Sequence, residues 1–138
     1  MLGRSIQPPR DVQACLRTVF GDDVDRVRII EYSFFARLHS RMVATTRRRR
    51  IYLRGSAAEF FDNPTLMLHE YCHVLKQWEP RELTATRYVL EWLRRGYWEN
   101  RFEVEARNFT DRHIAHYRVL LAEQRKAAPS PEQGFPVV

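Results

Sequence analysis

The segment Thr65–Trp78, TLMLHEYCHVLKQW, places two histidines four residues apart within a run of large apolar residues. On a helix, at about 100° per residue, its polar side chains fall on one narrow stripe: His69, Glu70, His73 and Gln77. The other faces of that helix are apolar, so we expect them to be buried. The pattern therefore predicts a packed helix with a single polar stripe.

Two residues mark the start of this helix. Asn63 is a favourable N-cap residue, and Pro64 suits the first helical position, where its missing N–H is not needed. We expect the helix to begin there and to end at about Trp78.

The polar stripe contains the motif HExxH, whose spacing suits a zinc ion. Two imidazoles one helical turn apart reach the same zinc at about 2.0–2.1 Å. Glu70 lies too far round the helix to bind zinc with them, but is placed to hold a water on the metal and accept its proton. The motif predicts Zn²⁺ as cofactor, His69 and His73 as ligands, and Glu70 as general base. The alternative is two histidines hydrogen-bonded at the edge of a core.

A catalytic zinc site with one open position needs a third protein ligand. A further histidine just after the motif and the inverse motif HxxEH are both absent. That leaves a glutamate from a later helix. Glu103 and Glu105 lie on opposite sides of the apolar stripe of the last predicted helix. Helical spacing therefore does not decide which of them is the third ligand.

The segments HEYCHVLKQW and NRFEVEA resemble small bacterial zincin-like metallopeptidase domains of the gluzincin type, some of which are associated with contractile injection systems. The resemblance extends over Phe20 to Phe109 and is specific at HExxH. It implies a minimal zincin fold, peptide-bond hydrolysis, and Glu103 as the third ligand, since Ala106 follows it as in the family pattern. Many gluzincins carry Asp or Asn four residues after the ligand glutamate, where this chain has Arg107.

The resemblance also implies where a substrate lies. In zincins the substrate runs along the edge strand before the metal helix, adding a strand through backbone hydrogen bonds. Either Ile51–Leu53 or Val43–Thr46 would supply that edge. The basic run Arg47–Arg50 either protects an edge strand from aggregation or selects acidic substrates.

A peptidase also needs a hydrogen-bond donor for the oxyanion. Tyr97, His113 and His116 are candidates by chemical type alone. His113 falls on the apolar stripe of the last helix, where a histidine is more often packed and hydrogen-bonded. The sequence does not choose between the three.

The remaining patterns predict an α+β fold: a small sheet packed on the HExxH helix, followed by C-terminal helices. We expect one domain over residues 1–126 and a disordered, Pro-rich tail over 127–138. The predicted strands are Val24–Tyr32 and 49–55, with 42–46 a weaker strand or loop. The predicted helices besides the HExxH helix cover 8–20, 33–42, 80–95 and 100–126.

Two further features concern packing and compartment. We expect the late aromatic residues to pack the last three helices together: Trp78, Trp92, Tyr97, Trp98 and Phe102. Cys72 points away from the polar stripe, so we expect it to be a small core residue. With Cys15 as the only other cysteine, no disulfide framework or CxxC pair is present, which favours a reducing compartment.

The composition limits the possible partners. Of the 138 residues 44% are hydrophobic, the formal net charge is +6, and no apolar run approaches the length of a membrane span. The start lacks the apolar region of a secretory signal. We therefore expect no membrane partner, and a cytoplasmic protein or one exported without a classical signal peptide.

Three functions remain open at this stage. The first is a zinc metallopeptidase acting on a protein or peptide. The second is a zincin-shaped binding module without peptidase activity. The third is a basic nucleic-acid binder using Arg47–Arg50, which no helix-turn-helix, zinc-finger or RNA-recognition signature supports.

Overall fold

The computed structural model describes residues 3–33 and 44–127, which form an α+β fold as predicted. The helix predicted over 33–42 lies outside the described residues except for Ser33. The Pro-rich tail predicted over 127–138 lies outside them except for Ala127. None of the described helices is long and apolar enough to cross a membrane.

The secondary structure alternates between short strands and helices of very different length. The strands are β1 (Arg4–Ile6), β2 (Arg28–Glu31), β3 (Ala44–Arg47) and β4 (Arg50–Leu53). The α-helices are α1 (Arg10–Phe20), α2 (Ala57–Phe61), α3 (Pro64–Cys72), α4 (Ala85–Arg95) and α5 (Arg101–Ala127). A 3₁₀ helix, Asp22–Arg26, precedes β2, and a π-helical segment, His73–Trp78, continues α3.

The described strands form one mixed sheet in the order β1-β2-β4-β3. The central pair, β2 and β4, is parallel and sets Ile29 opposite Ile51, while β1 and β3 pair antiparallel on either side. Ile29, Ile51 and Leu53 are fully or almost fully buried. They belong to the same core cluster as residues of α1, α3 and α5, among them Leu16, Leu68 and Tyr117. The helix α3 thus lies inside the fold.

Some predicted boundaries are wrong. Val24 lies in the 3₁₀ helix, and β2 begins only at Arg28. Acidic residues favour turns, and Asp25 of this turn pairs with Arg17 at 2.7 Å. Val24 is nevertheless buried. The apolar residue that suggested a strand therefore packs into the core from the 3₁₀ helix.

The helix predicted to start at Pro80 starts later. Thr84 is its N-cap, accepting a hydrogen bond from the Arg87 N–H at 3.1 Å, and α4 begins at Ala85. Arg81 has a φ of +64°, a left-handed conformation that a helix cannot contain. The predicted end at Gly96 is confirmed.

A buried carboxylate, Glu31, joins three elements. It accepts a hydrogen bond from Arg4 of β1 at 2.8 Å and another from the Ala57 N–H at the start of α2 at 2.9 Å. The Ala57 N–H and, after it, the Arg4 side chain hold the pKa of Glu31 below its ordinary value. Because these bonds favour the charged form, the carboxylate stabilises the native state.

Replacing Glu31 by Gln should lower the melting temperature near about pH 7. A depressed carboxyl pKa contributes stability above its unfolded value of about 4.3, and that stability is lost as pH falls through the folded value. We therefore expect wild type and Glu31→Gln to converge in acid, measured by circular dichroism melts across pH. Glu59→Gln, at an exposed position of α2, is the control. Equal shifts in both variants would contradict the assignment.

Candidate metal centre

The helix α3 starts as the sequence predicts. The Asn63 side chain accepts a hydrogen bond from the Leu66 N–H at 3.2 Å, and Pro64 is the first helical residue. Met67, Leu68 and Tyr71 are completely buried, so three apolar contacts fix the rotation of the helix. The polar stripe therefore has one direction in which to point, towards α5.

Three side chains converge between α3 and α5. The Nε2 atoms of His69 and His73 lie 3.1 Å apart. Glu103 of α5 reaches both: its Oε2 is 2.9 Å from His69 Nε2 and its Oε1 is 3.2 Å from His73 Nε2. Within the described residues these three form the group whose ligand atoms could share one metal ion. Glu103, rather than Glu105, lies with the histidines.

The spacing of this group suits a small cation. Two ligand atoms at about 2.0–2.1 Å from a tetrahedral zinc stand about 3.3 Å apart, close to the 3.1 Å between the two Nε2 atoms and the 2.9 Å between His69 Nε2 and Glu103 Oε2. Two imidazoles and a carboxylate are also ligands of known catalytic zinc sites. The residues therefore fit a zinc ion, with one ligand atom from each and all three atoms within 4.8 Å of one another.

A buried glutamine determines which nitrogen of His73 is free. The Phe102 carbonyl can only accept a hydrogen bond, so the amide Nε2 of Gln77 must be its donor, at 2.8 Å. The Gln77 Oε1 then faces His73 Nδ1 at 2.6 Å and must accept. His73 therefore carries a proton on Nδ1, and when the ring is neutral its Nε2 lone pair faces the group. Holding the tautomer in this way raises the basicity of a metal ligand.

The π-helical segment contributes to this arrangement. The sequence predicts a regular helix to Trp78, but from His73 onward the turns are wider, and the Glu79 N–H bonds the Val74 carbonyl at 2.9 Å. Within this segment Gln77 lies on the side of His73 and is completely buried. Single π-turns of this kind are frequent at functional sites.

The side chains of the group favour one another's charged forms. Burial alone would raise the pKa of Glu103, but hydrogen bonds from His69 and His73 outweigh it, and that pKa is lowered. Burial alone would lower the pKa of His73, but the Glu103 hydrogen bond and the charges of Glu70 and Glu103 raise it to about 9. The two shifts act in the same sense: each favours the charged form of its group, so Glu103 and His73 attract each other inside the protein.

Glu70 is buried next to this group without belonging to it. Its relative exposure is 5%. Burial raises the pKa of Glu70, and the nearby charges of His73 and His69 oppose the rise. A carboxylate with a raised pKa is a better proton acceptor than an ordinary surface glutamate.

Two tyrosines face Glu103 from outside α3 and α5. Tyr88 of α4 donates to Glu103 Oε1 at 3.2 Å, and Tyr97 lies near enough for the Glu103 charge to act on its hydroxyl. Burial and then the Glu103 charge raise the pKa of both tyrosines, so both hydroxyls are donors at neutral pH. The sequence predicts Tyr97 as a candidate donor but not Tyr88, whose place one turn into α4 depends on where that helix starts.

Other sequence-predicted residues lie elsewhere. His113 packs on Phe109 with ring centroids 4.2 Å apart, and His116 is exposed on α5. Glu105 is exposed and lines a cavity of about 370 Å³ between α4 and α5. Cys72 is completely buried, as predicted, and burial, followed by the Glu105 charge, raises its pKa to about 12.

The predicted packing of the late aromatic residues is wrong in part. Phe102 is buried, but Trp92 and Trp98 are 49% and 65% exposed. Trp78 instead reaches the sheet, where its Nε1 donates to Thr46 Oγ1 at 3.2 Å. The strand β3 that carries Thr46 is an outer strand, whereas β4 is paired on both sides. Of the two predicted edge segments, residues 44–46 lie at an edge of the described sheet and Ile51–Leu53 do not, while Val43 lies outside the described residues.

Comparisons of this chain with protein-family models, with curated proteins and with solved structures find no match. Its function is therefore inferred from the geometry of its own residues.

Replacing Gln77 by Met should weaken zinc binding about 10- to 100-fold, the usual effect of losing a partner that orients a ligand. Met keeps the volume but accepts no proton from His73 Nδ1 and leaves the Phe102 carbonyl without its donor. Zinc affinity is measured by competition with a chromophoric chelator.

Lys76→Met is the matched control, because Lys76 is the exposed neighbour of Gln77 on the same segment. Its affinity should stay close to that of wild type. If both variants bind zinc as the wild type does, the glutamine does not orient His73.

Proposed function

We propose that this chain is a zinc-dependent metallopeptidase of the minimal zincin type. The observation that carries the proposal is the meeting of His69 Nε2, His73 Nε2 and the Glu103 carboxylate at separations of 2.9–3.2 Å. The ligands come from two helices that the core holds together, and a second carboxylate, Glu70, is buried beside them. This donor set and its separate base are what metal-assisted amide hydrolysis requires.

Each residue of the site has a distinct role in the proposed reaction. When bound, zinc supplies Lewis acidity, which lowers the pKa of a water ligand to roughly 7 and polarises a carbonyl. His69, His73 and Glu103 would hold the ion. Glu70 accepts a proton from the attacking water and returns it to the leaving amine.

The two tyrosines are the best-placed donors for the oxyanion. Tyr88 donates to Glu103, and the Tyr97 hydroxyl lies within electrostatic reach of the same carboxylate, so both hydroxyls lie near the metal ligands. His113 is instead packed against a phenylalanine ring. We therefore assign oxyanion stabilisation to Tyr97 or Tyr88 and remove His113 and His116 from that role.

The substrate backbone would pair with β3. Among the described strands β3 is an edge of the sheet, and it contacts both α3 and the π-helical segment that carries His73. An extended peptide added at that edge would lie along the metal helix, which is the arrangement that strand addition requires. Trp78 fixes β3 to the segment through Thr46.

Replacing Glu70 by Gln should leave zinc bound and reduce peptide cleavage by about 10²- to 10⁴-fold, the usual contribution of a positioned base. The amide keeps the shape of the side chain but cannot take the proton. Cleavage is followed on a quenched fluorescent peptide library, with zinc content measured on the same samples.

Glu105→Gln is the matched control, because it changes the same chemical group at an exposed position outside the metal group. It should cleave at the wild-type rate. Full activity of the Glu70→Gln variant would contradict the assigned mechanism, and a wild type that binds zinc but cleaves nothing would favour the binding module.

A further inference from the structure

The helix α4 turns its polar side towards the protein. Glu91 is its buried residue, 8% exposed, and its Oε1 pairs with Arg95 at 3.3 Å and accepts from the Arg101 N–H at 3.4 Å. Tyr88 points inward to Glu103, and its carbonyl accepts from Asn100 Nδ2 at 3.4 Å. Hydrogen bonds therefore carry much of the contact between α4 and the rest of the chain.

The apolar side of α4 consequently faces solvent. Val89, Leu90, Trp92 and Leu93 are 51%, 54%, 49% and 68% exposed. At about 100° per residue they cover a continuous arc of about 160° on the helix. Trp98, 65% exposed, follows just after the helix end at Gly96. We call these five residues the α4 face.

The α4 face holds most of the large apolar side chains that the described part of the chain exposes; Tyr32 and Val119 are the others. Monomeric proteins rarely expose a continuous apolar patch larger than a few hundred Å². A large patch of this kind commonly marks an interaction site. Burial of these side chains would supply about 25 cal/mol of free energy for each Å² of apolar surface removed from water. The face is therefore expected to have an occupant.

Basic side chains border the face. Arg87 and Arg94 are exposed and follow the apolar arc on one flank of the helix. Arg107 lies over the Trp98 ring, 3.8 Å from its centroid, and donates to the Trp98 carbonyl. The acidic residues of the region are Glu91, which is buried and paired with Arg95, and two exposed glutamates beyond the ends of α4, Glu82 and Glu99.

We propose that the α4 face docks the chain on an anionic lipid bilayer surface. A helix with Trp and Leu on one side and Arg on the other lies in the plane of a membrane interface, with its apolar side among the headgroups. Negative lipids attract the arginine border and the net charge of +6. A second copy of the chain would instead bring Arg87 and Arg94 towards identical charges, which opposes self-association through this face.

This proposal differs from the expectation of no membrane partner. That expectation rests on the absence of a spanning segment, whereas a helix lying on the surface needs no such length. Since Tyr88 on the inner side of α4 contacts Glu103, a docked face would hold the metal centre near the bilayer.

The test is co-sedimentation of the full chain with vesicles of phosphatidylcholine alone and of phosphatidylcholine mixed with phosphatidylglycerol. We expect binding to the mixed vesicles, a blue shift of tryptophan fluorescence, and loss of binding at high salt. Leu93→Glu should weaken binding at least about tenfold, because a charge enters the apolar arc. Arg94→Ala should weaken it about fivefold.

The matched controls are Val119→Glu and Arg118→Ala on α5, which make the same changes at exposed positions outside the α4 face. Both should bind nearly as the wild type does, and Leu93→Glu should keep the wild-type zinc content. Wild type that binds neither kind of vesicle overturns the proposal. So does equal weakening by Leu93→Glu and Val119→Glu. A dimer in sedimentation equilibrium that Leu93→Glu dissociates, without vesicle binding, would assign the face to a second copy and also overturn it.

Discussion

The close packing of α3 against α5 places a carboxylate between two imidazoles, and the candidate site depends on this contact. Ala106, completely buried one turn after Glu103, lets the helices approach. Burying Glu103 is unfavourable for an isolated charge, but His69 and His73 bond both of its oxygens. A group in which each member is bonded to the others keeps its geometry, which a metal site requires.

Gln77 extends this constraint to the helix backbone. It connects the ring of His73 to the Phe102 carbonyl, which immediately precedes Glu103 in the chain. One amide therefore sets the tautomer of a ligand on one helix and the position of the neighbouring ligand on the other. Gln77 and His73 both lie in the π-helical segment, and such irregularities are frequent at functional sites.

The sequence predicted those parts of the molecule in which local chemistry agrees with tertiary structure. Asn63 and Pro64 marked the start of α3, and HExxH placed the histidines. Spacing alone did not separate Glu103 from Glu105, because that choice depends on how α5 is rotated against α3. Strand β1 and helix α2 were missed because three and five residues are too short to show a period.

The exposed α4 face was missed for a different reason. Sequence patterns identify which side of a helix is apolar, and the usual inference places that side in the core. In α4 the inner side is instead polar, because Tyr88 and Glu91 bond Glu103 and Arg101. The helix thus has two roles: its polar side completes the surroundings of the metal group, and its apolar side remains available to a surface outside the chain.

Whether His69, His73 and Glu103 hold zinc is decided by the metal content of protein purified without added metal. It should be measured by mass spectrometry for the wild type and for His69→Ala, Glu103→Ala and Glu105→Ala. The account predicts about one zinc per chain in the wild type and in Glu105→Ala, and a large loss in the other two variants. A wild type without zinc that takes up none when it is supplied, or a Glu103→Ala variant that retains it fully, would contradict the account.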